Sequence, residues 1–228
     1  MTESALTFVE LYTRVQEVIN NANATVLGYL KKWMNDTYYE VNSMEMWPYL
    51  RIATPATFDL TAGAGYVHAL PTGFINFEEH GLYRDDGTEL IYATKEQIKS
   101  LDPDNSGTAL VPTHWYIPYP GYVGIHPKLP VGSTANVTGM YYGDVAALSG
   151  DSDVPLIPQQ FRVSLLVCGT AARYFVWRKE LDSAQIYQAQ YRTAIDRLKR
   201  QQGITDDLPG ECTAVRWDND LNILDDVD

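Results

Sequence analysis

The chain has 228 residues, 45% of them apolar, and a formal net charge of −12. Such a length can bury a substantial core, and the negative total argues against a surface built to grip nucleic-acid phosphates. No apolar run approaches the roughly 20 residues that span a bilayer, so no membrane association is expected.

The first fifteen residues lack the basic start and unbroken apolar stretch of a signal peptide, which predicts folding in a cytosol. The two cysteines, Cys168 in a helical pattern and Cys212 near the end, then imply no structural disulfide.

Helical rhythm opens the chain. Leu6, Val9, Tyr12 and Val15 to Ile19 recur at three- and four-residue spacing and predict a first helix ending at the polar run Asn20 to Asn23. Leu27, Leu30, Met34, Val41 and Met44 occupy the apolar positions of a heptad, with Thr37 as its polar member. They predict a second helix, stopped by Pro48. Trp33, Trp47 and Tyr49 are expected to pack at the point where the chain leaves these helices.

From Leu50 to about Asp144 the period changes. Thr57–Leu60, Gly65–Leu70, Phe74–Glu78, Leu90–Tyr92, Thr113–Ile117, Tyr122–His126 and Asn136–Tyr142 are rich in β-branched and aromatic residues and are separated by Gly, Pro and Asp. They predict an antiparallel sandwich or barrel of about six to eight strands, interrupted by a short helix from Ala93 to Leu101.

Helical spacing resumes after Pro158. Phe161, Leu165, Cys168, Ala172 and Phe175 form a seam, with Gly169, Thr170 and Ala171 small enough to let another helix come close. Leu181, Ala184, Tyr187, Tyr191, Ile195 and Leu198 mark a last helix, and Gly203 is its expected cap. The expected fold class is therefore α+β. Helix pairs at 1–49 and 154–202 form a bundle, a β-module is inserted at 50–153, and an extended acidic tail covers 203–228.

Charge is segregated. Residues 1–157 carry a net −10, residues 158–202 a net +5 and residues 203–228 a net −7. A basic helical segment followed by an acidic tail is complementary within one chain or between neighbours.

Catalytic and metal-binding patterns are thin. His68, His80, His114 and His126 are far apart and match no metal-ligand spacing. Phosphate loops, nucleophile elbows and dinucleotide fingerprints are missing. The stretch from Asp102 to Gly107 opens like a calcium loop, but Thr113 stands where the closing acid belongs, so it reads as a turn. Asp144, Asp151 and Asp153 read as a turn with helix capping; a wall-degrading glycosidase using Asp144 and Asp153 is the enzymatic alternative. The expectation is a non-enzyme with no cofactor and no metal. Sixteen tyrosines and five tryptophans point to packing and protein interfaces, with a carbohydrate- or receptor-binding module as the alternative.

A series of short signatures follows in order: Trp47-Pro-Tyr-Leu-Arg51, Tyr66 with Ala69-Leu-Pro-Thr-Gly-Phe74, Pro112-Thr-His-Trp-Tyr-Ile117, Ile125-His-Pro127, Tyr141-Tyr142, Ile157-Pro158 and Ala171-Ala-Arg-Tyr174. Together they resemble the head–tail adaptor (head-completion or connector) proteins of tailed bacteriophages, over roughly residues 1–202. Gly73 departs from that pattern, which commonly has an acid there.

The resemblance implies a virion protein: a ring subunit, commonly of about twelve copies, seated between the portal protein and the tail nozzle or tube. Genomic DNA would pass through its channel without specific binding. Ring contacts would come from the helices around Phe161, Leu165, Ala172, Arg173 and Phe175. The tail matches no family pattern. Its apolar positions Leu208, Val215, Trp217, Leu221, Ile223 and Leu224, with Arg216, are read from physics as anchors that dock on a partner.

Overall fold

The computed structural model describes residues 5–60, 67–78, 81–104, 106–130 and 133–204. Helix α1 spans Phe8–Ile19. Its first turn is closed by Glu10, whose carboxylate accepts the Thr7 backbone N–H at 2.8 Å. Asn20 takes the left-handed conformation at its end.

Helix α2 spans Ala24–Ser43, and its N-cap Asn23 accepts the Thr25 N–H at 2.8 Å. It ends earlier than the proline signal implies. Pro48 instead opens a short 3-10 turn, Pro48–Leu50, because proline suits the first position of a helical turn. Thr37 is fully buried in the heptad and donates its hydroxyl to the Trp33 carbonyl of its own helix at 2.8 Å.

Among the described residues nine short strands follow: β1 Ala56–Asp59, β2 Val67–Ala69, β3 Phe74–Phe77, β4 Tyr83–Arg84, β5 Ile91–Tyr92, β6 His114–Tyr116, β7 Tyr122–His126, β8 Asn136–Gly139 and β9 Tyr141–Gly143. They form three small sheets, ordered β1-β8-β4, β2-β7-β6-β5 and β3-β9.

Three sequence expectations are corrected here. The described strands close no barrel, and β5 pairs with β6 in parallel, Ile91 opposite His114. A parallel pair needs a long crossover. The segment between them supplies it and carries helix α3, Lys95–Leu101. The run Asn136–Tyr142 is also two strands rather than one. At Gly139 an added Cβ would lie 2.5 Å from Leu82 and 2.7 Å from the Gly81 carbonyl. The chain turns there from the β1–β4 sheet to pair with β3.

Beyond the strands, helix α4 spans Gln159–Arg162, a π-helical segment Val163–Val167 continues it, and α5 runs Cys168–Trp177. A tight connection leads to α6, Leu181–Gln201. Gly203, in the left-handed conformation, closes α6 as expected, with the Ile204 N–H on the Lys199 carbonyl.

Buried side chains gather into separate clusters. The largest joins α1, α2, the π-helical segment, α5 and α6 through Leu11, Leu30, Met34, Leu165, Ala171 and Leu198, and it also takes in Val145, Leu148 and Ile157 from the returning chain. A second lies among the strands, around Phe58, Phe77, Leu82, Leu90, Val123 and Val137. Ala93, Ile98 and Tyr116 form a third, beneath α3.

Candidate partner-docking surface

The seam on α4 and α5 faces inward. Phe161, Leu165 and Phe175 lie in the largest core cluster, at 8%, 0% and 9% exposure, and Ala172 is half-buried. They pack this chain against itself. Gly169 allows the close approach foreseen for it: an added Cβ would sit 2.5 Å from Thr37 of α2 and 3.2 Å from the Tyr191 ring of α6.

Arg173 is committed inside the subunit too. Its guanidinium pairs with the Glu40 carboxylate of α2. Burial, with Glu40 as the next cause, pushes the neighbouring Tyr191 phenol far above its ordinary range. A charge reversal at Arg173 would therefore set two carboxylates against each other within one chain.

Among the helices, exposed apolar side chains occur around the connection from α5 to α6. Trp177 is half exposed, and its ring lies 5.9 Å from Tyr29, 6.0 Å from Trp33 and 5.9 Å from Tyr174. Tyr29 and Trp33 stack on each other at 5.6 Å. Val176, Leu181 and Ile186 are exposed at 45%, 62% and 58%.

The connection is a helix-ending motif in which the Glu180 N–H bonds the Phe175 carbonyl and the Lys179 N–H bonds that of Val176. Glycine usually holds the left-handed position of this motif; here it is Lys179, with φ 61°. Arg178 meets Glu180 at 3.5 Å on the surface. Aromatic faces beside cations in an exposed turn are typical of protein-recognition surfaces.

Sequence reasoning assigned Trp33 to packing and passed over Trp177, whose signal was its place beside Arg178 and Lys179 at the end of an apolar run. The other exit aromatics behave as expected. Trp47 is fully buried, donates its indole N–H to the Val41 carbonyl at 2.6 Å and stacks on Tyr49 at 5.9 Å.

The carboxylates singled out as possible catalysts serve the fold. Asp151 accepts hydrogen bonds from Lys31 and the Tyr12 hydroxyl, each at 3.0 Å, and these hold its acid below the usual range. The Asp153 carboxylate ties the Ser149 and Gly150 N–H groups at 2.7 Å. The carbonyls of Asp153 and Asp151 accept the Phe8 and Val9 N–H groups. The capping at this turn thus serves α1, across the length of the chain, rather than the helix that follows. Asp144 accepts the adjacent Val145 N–H at 2.8 Å. Asp102 closes its turn by accepting the Ser106 and Gly107 N–H groups.

Among the described residues no cluster of His, Cys, Asp or Glu could hold a metal ion, and no helix is long and apolar enough to cross a membrane. Leu208, Val215, Arg216, Trp217, Leu221, Ile223 and Leu224, the expected docking anchors, lie outside the described residues.

No curated protein matches the chain. The family model of the SU10 adaptor protein matches residues 6–211, a span that takes in both helix pairs and every strand. The chain belongs to the SU10 adaptor protein family, a family of phage head–tail adaptors.

Proposed function

We propose that this protein is a structural subunit of a homo-oligomeric ring, commonly of about twelve copies, at the head–tail junction of a phage virion. The ring joins the portal protein to the tail nozzle or tube, and genomic DNA passes through its lumen without specific binding. The observation that carries this reading is the family match over residues 6–211.

Several features support it. The helices with their shared core act as one unit, 1–49 with 154–202, and the strands as an inserted module, 50–153. The wall of a DNA channel should repel phosphates weakly, which the net charge of −12 suits. Lateral ring contacts come from outward helix residues at the α5–α6 corner and from the exposed Val154 and Leu156 before α4. Segment 203–228, with Trp217 as its main anchor, docks on a partner.

The deciding experiment mixes the purified protein with portal rings and measures the mass of the complex. Rings of about twelve subunits bound to the portal are the expected result. A monomer or trimer that ignores the portal and binds glycans would overturn this reading in favour of a receptor-binding module. A chain ending at Gly203 that docks as tightly as the full-length protein would remove the docking role from the tail alone.

A further inference from the structure

Helix α6 buries one side and offers the other. With 3.6 residues per turn, Ala184, Tyr191, Ile195 and Leu198 share the buried side. Leu181, Ile186, Arg192, Arg197 and Arg200 lie on the remaining circumference, all exposed. The outward side therefore runs from basic near its C-terminal end to apolar near its N-terminal end, which begins four residues after Trp177 in the chain. Asp182 and Asp196 also lie there and only partly offset the arginines.

The chain beyond Ile204 has the matching order. Asp206, Asp207 and Glu211 come before Trp217 and Leu221, and the other five of its eight acidic side chains, Asp218 to Asp228, follow Trp217, against one basic side chain in all. Its reach is sufficient. Leu181 lies about 35 Å back along the helix from Ile204, at about 1.5 Å per residue. The thirteen residues from Ile204 to Trp217 extend to about 43–47 Å.

We propose that residues 205–228 fold back along the outward face of their own α6. The first acids pass over Arg200, Arg197 and Arg192, and Trp217 covers the apolar corner at Leu181, Ile186 and Trp177. The free subunit thereby masks a surface that would otherwise attract other chains. This goes beyond the adaptor reading, because it concerns the chain alone and would hold whatever the ring number.

The test places a spin label on Cys212 of the full chain carrying Cys168→Ala. Amide signals in the middle of α6 should lose most of their intensity, and should recover in about 1 M salt, where the Debye length is about 3 Å. A mixture of spin-labelled chains and isotope-labelled chains without the spin label should show no such loss. Loss in the mixture would mean that another copy supplies the segment. No loss in either sample would mean that the face awaits a different protein. Either result overturns the proposal.

Because Cys168 is half-buried, a measurement that leaves it intact is paired with this one. In full-length Trp217→Ala protein the indole N–H signal of Trp177 should shift, and an unchanged signal would also overturn the proposal. Ring mass with the portal decides the adaptor reading separately.

Discussion

Gly169 is the more tightly enclosed of the two glycines within the helices, since Gly28 has open space around it. A side chain there would drive the α5 backbone away from Thr37 and Tyr191 at once, since its first carbon already lies 2.5 Å from Thr37. Overpacking of a close-packed core costs about 1–3 kcal/mol. Gly169→Val should therefore lower stability by about that amount, read as a lower urea midpoint with an unchanged slope. Thr37→Ala should recover part of the loss in the double variant by making room.

Two histidines of the strand region respond to pH. Burial holds both His68 and His126 below the ordinary imidazole value; nearby Asp59 and Asp102 oppose it, while His114 and Lys128 add to it at His126. A base with a lowered folded pKa binds fewer protons folded than unfolded. Its contribution to stability is present above the unfolded value of about 6.5 and is lost as pH falls from there through the folded value. The urea midpoint should drop between pH 7 and pH 5. A His68→Gln, His126→Gln double variant should lose most of that slope, and an unchanged slope would refute the assignment.

At the level of elements, the helices were legible because their apolar spacing coincides with burial. Tyr12, Val15, Leu30, Met34, Val41, Ile195 and Leu198 are all buried where the periodicity set them. Strand positions were legible too, since β-branched and aromatic runs bounded by Gly and Pro have few alternatives. Their pairing was not. Whether β5 meets β6 in parallel depends on the path of the crossover through α3, and the split at Gly139 depends on the backbone and side chains that face it. Both facts arise from contacts distant in sequence. The same limit hid the aromatic corner: Tyr29, Trp33 and Trp177 come from helices far apart along the chain. Trp177→Ser removes aromatic contacts with Tyr29, Trp33 and Tyr174, each worth about 0.5–1.5 kcal/mol, and should weaken ring assembly, measured by native mass, by more than that loss of stability explains. Unaltered assembly would show that this corner is not a lateral contact.

For the whole molecule, the turn at Asp151 and Asp153 sets an order in time. Helix α1 is made before the other described elements, yet its opening N–H groups at Phe8 and Val9 bond to carbonyls at residues 153 and 151. Its buried face packs on α5, made later still. The strands β1 and β8, by contrast, close at residues 56 and 139. On a ribosome adding about 5–20 residues per second, the first helices wait exposed for several seconds while the strands assemble, and the helical core forms last. Chains arrested once residue 153 has left the ribosome should show protease-resistant strands and protease-sensitive α1 and α2. Resistance of α1 and α2 at that stage would contradict this order. Helices α1 and α2 are thus completed only when α5 and α6 have been made, so a chain cut short in synthesis before α5 holds two helices with no core to close them.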